Sequence, residues 1–214
     1  PYQFSSFAFL PAVYEYLRSG RVRYVRTEGG KELLYYTTHM GTGASWSLHD
    51  GLSLDSVRCG VGLGWFGLLL PEEAGDVFIP SSAMLLSTKE GAEGTEIEAS
   101  SNLCEALIKS VEKFGLTPYI GKVCTVHDPF HRKEDAVMDL GCIGCEQETW
   151  YLLYYAKMLR KEAASMLILS DLESYKAGYN VLTQARERRK RINSLSRTLV
   201  KKVIPYALSN YLRQ

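Results

Sequence analysis

The acidic residues Asp128, Glu146, Glu148 and Asp171 are the groups in this sequence best placed to do chemistry. A carboxylate accepts hydrogen bonds through two oxygens and, when its surroundings shift it, can deliver or take a proton. Asp128 follows the strand-like run Thr117 to Val126, Glu148 heads a helix-like run, and Asp171 closes the apolar run Ala164 to Ser170. A plainer reading exists for each. Asp171 could cap the next segment, and Glu146 and Glu148 are charges that a helix dipole favours at its amino end.

Other reactive sets are weaker. Cys142-x-x-Cys145 has redox-motif spacing, but it has no second pair for structural zinc and sits among small residues before a strand-to-helix join. His127, Asp128 and His131 are too small a set for a zinc site. The basic run Arg186 to Arg191 has no interleaved aromatics on which bases could stack, so it reads as the solvated face of a helix.

The elements that must position these residues alternate. Pro11 to Arg18 reads as a short helix, and Arg21 to Arg26 with Glu32 to Thr38 read as a hairpin turning at Gly29-Gly30. A small-residue loop, Met40 to Ser45, precedes a strand from Ser56 to Val61 whose exit is crowded by Gly60, Gly62, Gly64 and Gly67, where backbone could approach a ligand. Asp76 to Ser81 follows as a strand. Leu103, Ala106, Leu107, Val111 and Phe114 fall at helical spacing, with Gly115 as the stop. After the strand Thr117 to Val126 come a helix from about Glu148 to Arg160, the strand Ala164 to Ser170, and a long helix from about Val181 to Leu208, bent at Pro205. This order predicts an α/β fold with a mostly parallel or mixed sheet and helices on both faces, with ligands beyond the carboxyl ends of strands.

Composition fits one domain spanning residues 1–214. At 214 residues, 46% hydrophobic and 23% charged, the chain can bury one large core. A net charge of +1 supplies no field for nucleic acid. Five scattered cysteines suit reduced thiols in a cytoplasm. The apolar runs are far shorter than the roughly 20 residues a membrane helix needs, so no membrane association is expected.

Gly141-Cys142-Ile143-Gly144-Cys145-Glu146-Gln147-Glu148-Thr149, then a helix, then Leu167-Ile168-Leu169-Ser170-Asp171, resembles the Glu-Met-Glu motif and Ser-Asp strand end of the nucleoside phosphorylase/nucleosidase superfamily. Met40-Gly41 resembles its Gly-Met-Gly loop, Gly75-Asp76-Val77-Phe78-Ile79 its Gly-Asp-Val strand, and Thr125 to Phe130 its Ser-x-Asp-x-Phe loop. Together these cover roughly Leu33 to Ser170.

The resemblance implies a three-layer α/β/α fold around a central mixed, mostly parallel twisted sheet, truncated at its amino-terminal strand. It also implies a pentosyltransferase that cleaves the N-glycosidic bond of a nucleoside, with a purine favoured. Asp171 matches the acid that serves the departing base, and Arg188 the arginine that assists it. Glu148 matches the acceptor of the ribose hydroxyls. Glu146 and Gln147 would flank sugar and base, Phe130 would stack on the base, and Met40 would line the sugar pocket. These roles suit a bond whose cleavage leaves an oxocarbenium-like carbon and needs an activated leaving group.

The sequence also departs from the pattern. The family's amino-terminal Gly-Asp-x-x-Arg phosphate loop is missing, Arg58 is the only match for the strand-end arginine, and Gln147 replaces Met. The expectation is phosphorolysis yielding ribose 1-phosphate, with phosphate as co-substrate and no other cofactor and no metal. The alternatives are a hydrolytic nucleosidase and a catalytically silent nucleoside-binding or oligomer subunit. The expected partners are a small-molecule nucleoside, phosphate and further copies of the chain, as a dimer, trimer or hexamer.

Overall fold

The computed structural model describes residues 4–8, 22–26, 32–38, 42–55, 57–68, 77–86, 95–127, 134–172 and 181–212. The expected helix Pro11 to Arg18 lies outside them.

Three antiparallel strands open the chain: β1 (Phe4–Ala8), β2 (Val22–Arg26) and β3 (Glu32–Thr38). The expected hairpin is β2–β3, with Arg26 opposite Glu32. Strand β1, which the sequence reading did not anticipate, lies between β3 and the next strand.

Helix α1 (Thr42–Ser53) replaces most of the expected small-residue loop. Thr42, Gly43 and Ser45 are poor helix formers, but the burial of Leu48 and Leu52 outweighs local preference. Strand β4 (Cys59–Leu68) then runs through the glycines expected at its exit. They are interior positions of a buried strand, where close packing requires them. A Cβ on Gly62 would come within 2.9 Å of both the Leu152 side chain and the Ser165 hydroxyl.

The remaining elements are β5 (Val77–Leu86), β6 (Glu96–Glu98), α2 (Ser101–Lys113), β7 (Pro118–Val126), α3 (Glu134–Asp139), β8 (Gly144–Glu146), α4 (Thr149–Met158), β9 (Glu162–Leu172), α5 (Val181–Thr198) and α6 (Ile204–Tyr211). Helix α2 starts at Ser100, whose hydroxyl accepts from Leu103 N, and stops at Gly115 with φ +71°. Between α5 and α6 the expected bend is a π-helical segment, Leu199–Val203, in which Ile204 N–H donates to Leu199 O. Pro205 offers no N–H to continue the α pattern, and Ser110 of α2 donates to Val203 O at 2.6 Å.

The sheet is mixed rather than mostly parallel. Three pairings are parallel, β4–β9, β5–β7 and β7–β8, and the other six are antiparallel. The parallel pair β5–β7 is joined through α2, whereas the antiparallel pairs β2–β3 and β5–β6 are consecutive strands joined by shorter connections. The pairings β4–β8–β7–β5–β9–β4 close on themselves, so these five strands form a small distorted barrel from which the β1–β3 ribbon extends.

Alternation along β9 divides the core. Ala164, Met166 and Ile168 pack with Leu103, Leu107 and Val111 of α2 and with Leu195, Leu199, Val203 and Leu208 of the carboxyl-terminal helices. Ala163 and Leu167 join Leu48 and Leu52 of α1 and Leu152, Leu153 and Ala156 of α4. Helices therefore pack against both sides of β9. Among the described residues no helix is long and apolar enough to cross a membrane, and all five cysteines are free thiols.

Candidate active site

The two halves of the acidic motif meet across one residue. Gly67 of β4 pairs with Asp171 of β9 on one side and with Cys145 of β8, next to Glu146, on the other. A bulge sets this register: Phe66 pairs with Leu169 and Gly67 with Asp171, so Ser170 is the extra residue. Bulges concentrate beside active sites, where they shift the register of everything that follows. The close approach of β8 to β4 also depends on Gly144, whose Cβ would fall on the Gly67 carbonyl oxygen and within 2.8 Å of the Phe66 ring.

Glu146 is 4% exposed and fully engaged. Thr125 on the neighbouring strand β7 donates its hydroxyl to one carboxylate oxygen. The other oxygen accepts from Glu148 N at 2.7 Å and from Thr149 N at 2.6 Å. Thr125 Oγ1 in turn accepts from Trp150 N at 2.9 Å. Three backbone donors at the head of α4, which an unaided helix leaves without partners, are thereby satisfied. Burial holds the Glu146 carboxyl above the usual carboxylate range, although the Thr125 hydroxyl and the two backbone donors work in the opposite direction.

Glu148 is the residue preceding α4, is 3% exposed, and makes no side-chain cap of its own helix. Glu146, two residues earlier in the chain, accepts from the backbone at the head of α4 instead. Gln147, between them, is half-buried. One turn into α4, the hydroxyl of Tyr151 lies 3.2 Å from both ring nitrogens of His127, the residue that follows β7. Trp150 donates its indole N–H to Thr95 O at 2.7 Å and stacks on Tyr154 with ring centroids 4.8 Å apart.

The remaining expected site residues fall as follows. Asp171 is in β9 and Arg188 in α5, with only their backbones described. Met40, Asp128 and Phe130 lie outside the described residues. Arg58 is exposed and precedes the first residue of β4, whereas the motif halves meet at Gly67 near the last. At about 3.3 Å per residue the two positions are roughly 30 Å apart. Phe66, which lies among the glycines of β4, is a core residue stacked on Phe78 at 4.8 Å. Among the described residues no three His, Cys, Asp or Glu side chains converge so as to hold a metal ion.

Thr125 and the Tyr151–His127 pair were missed as contributors by the sequence reading. The available signals were the alternation of 125 and 127 along β7 and the one-turn spacing of 148 and 151 on α4.

This architecture is the fold of solved 5′-methylthioadenosine/S-adenosyl homocysteine nucleosidases. The chain is similar to the 5′-methylthioadenosine/S-adenosyl homocysteine nucleosidase of Campylobacter jejuni, at 14% identity over 89% of each chain and a TM-score of 0.65. It is also similar to a mutant of the Helicobacter pylori enzyme with 5′-methylthioadenosine in the active site, at 14% identity over 84% of this chain and 90% of that one, TM-score 0.59. A Helicobacter pylori enzyme complexed with a substituted pyrrolidin-3-ol matches at 16% identity over 83% and 89%, TM-score 0.60. No protein-family model matches the chain, and no curated protein matches it in sequence. At these identities the likeness is one of fold.

Proposed function

We propose that this protein is a nucleosidase that hydrolyses the N-glycosidic bond of a purine-type nucleoside. The observation that carries the reading is the double pairing of Gly67, which sets the Ser170-Asp171 strand end beside Cys145-Glu146-Gln147-Glu148. Supporting it, the solved structures of the same fold are named as nucleosidases.

In this reaction the bond between the sugar's C1′ and the base nitrogen breaks, water adds its oxygen to C1′, and the base leaves with a proton. Asp171 supplies that proton or hydrogen bond to the base, with Arg188 assisting. Glu148 accepts the ribose hydroxyls and stabilises positive charge developing on the sugar. Glu146 acts as a positioning residue, because its oxygens are committed to Thr125 and to the head of α4. Phe130 and Met40 complete the base and sugar walls on the resemblance alone.

Water is favoured over phosphate as nucleophile because the one arginine matched to the phosphate site, Arg58, lies at the other end of β4. Phosphorolysis, the first expectation, gives way to hydrolysis on that ground. The test is release of free base from a panel of nucleosides with and without phosphate. Release at equal rates in both supports hydrolysis; strict dependence on phosphate, or no release, overturns it.

A further inference from the structure

The overall charge of +1 conceals a separation along the chain. Residues 181–214 carry nine Lys and Arg and a single acid, Glu187, for a net +8, whereas residues 1–180 carry a net −7. The basic segment is the run of α5, the π-helical turn and α6. Burial fixes which way this run faces. Leu195, Leu199, Val203 and Ile204 lie in the core, while Lys190, Arg197, Lys201 and Lys202 are exposed. Lys190, Arg197 and Lys201 are spaced by seven and four residues, intervals that keep side chains on one helix face. At 1.5 Å per residue the stripe is roughly 16 Å long. Among the described residues no carboxylate pairs with any of these four cations. Glu105 of the neighbouring α2 is engaged by Lys109 at 2.5 Å.

A run of like charges on a helix is ordinarily a solvated face. This one is distinguished by cations that lack acidic partners and have no large apolar side chain exposed among them. Among the described residues the exposed large apolar side chains are Leu54, Ile120, Met138, Tyr154 and Met158, all on or beside α1, β7, α3 and α4. Tyr206 and Tyr211 of α6 are half-buried, the first between Phe114 and the Lys113 ammonium and the second against the core. A lasting hold on a bilayer needs apolar area as well as charge, and a protein partner needs a buried anchor. Single-stranded nucleic acid needs aromatics on which bases stack. A nucleic-acid duplex needs none of these, because neutralising its phosphates suffices for sequence-independent binding. A helix about 10–12 Å across suits the major groove of B-form DNA and its flanking phosphates, but not the deep, narrow major groove of an RNA duplex.

We propose that the exposed face of α5 and the π-helical turn docks double-stranded DNA through its phosphates, with Lys190, Arg197, Lys201 and Lys202 as the contacts. Charge is screened over about 8 Å at physiological salt. A duplex on this face therefore meets the local cations rather than the average of the chain, which is why a net charge of +1 does not exclude it. None of the four residues belongs to the candidate nucleoside site, so the docking face stands or falls independently of the nucleosidase reading.

The test is fluorescence anisotropy of the full chain with labelled DNA duplexes of two unrelated sequences, at about 50 to 200 mM salt. Both duplexes should bind alike, and log K should fall against log salt with a slope of about −3 to −4, the value for four neutralised phosphates. Lys190→Glu, Arg197→Glu and Lys201→Glu combined should weaken binding more than about tenfold and flatten the slope by about 3. The equally large reversal Arg58→Glu, Lys157→Glu and Arg160→Glu, at exposed positions elsewhere, should leave the slope unchanged. Denaturation midpoints show whether each triple variant folds. If the first does not, each of its single reversals should flatten the slope by about 1. No binding by wild type at the lowest salt, equal losses in the two triple variants, or tighter binding of an RNA duplex or of phosphatidylserine vesicles than of DNA would overturn the proposal.

Discussion

Thr125 and Glu146 sit opposite each other on adjacent parallel strands, and the hydroxyl of the first donates to the carboxylate of the second. Through this pair the sheet holds the amino end of α4, because Thr125 accepts from Trp150 N and Glu146 accepts from Glu148 N and Thr149 N. The backbone of the candidate sugar-binding acid is thereby fixed before any ligand arrives.

Replacing Thr125 by Val, which keeps the volume and removes the hydroxyl, leaves Trp150 N and one Glu146 oxygen short of a partner. A loss of about 2–3 kcal/mol is expected in urea denaturation, the cost of unsatisfied buried groups. A loss below about 0.5 kcal/mol would show that water or a local shift replaces the hydroxyl.

Glu146 makes a signed pH prediction. Burial raises its folded carboxyl above the ordinary glutamate value of about 4.3. The stability tied to it is therefore complete below that value and is lost as pH rises through the raised folded one. The stability difference between wild type and Glu146→Gln, measured by denaturation across a pH series, should shift against wild type over that interval. A difference that shifts toward wild type as pH rises would mean that its three donors outweigh burial.

Asp171→Asn should lower the rate of base release by about 10²–10⁴-fold, the usual contribution of a positioned general acid, with the denaturation midpoint little changed. Arg58→Ala should leave the rate unaltered with or without phosphate. Steady-state assays on both variants test the two ends of β4 separately, and an active Asp171→Asn would remove the acid from its assigned role.

Gly144→Ala should destabilise by about 1–3 kcal/mol through overpacking, since the new methyl meets the Gly67 carbonyl rather than a side chain that can swing away. Gly115→Ala is the control for a purely conformational effect. Gly115, unlike Gly144, has positive φ, and nothing lies within 4 Å of its Cβ position. The thermal shifts of the two variants separate collision from backbone strain.

Much of the architecture was legible in the residues. The hairpin, α2 with its Gly115 stop, β7, α4, β9 and the irregularity before Pro205 all follow from local periodicity, capping and proline chemistry, which act within a few residues. The misreadings have a common cause. The glycines of β4 and the small residues at the start of α1 resemble loop, and only burial against distant partners, Leu152 and Ser165 for Gly62, makes them strand and helix. Strand β1 was missed because its pairing to β3 and β4 is not encoded next to it.

The candidate site divides along the same line. The residue types and spacing of Glu146, Glu148 and Asp171 are properties of the sequence, and they sufficed for the resemblance. That Glu146 caps α4, that a bulge at Ser170 sets Asp171 opposite Gly67, and that Arg58 lies a strand's length away were decided by tertiary structure. Hydrogen bonds and strand register join groups far apart in the chain, and no local pattern records which pairs will meet.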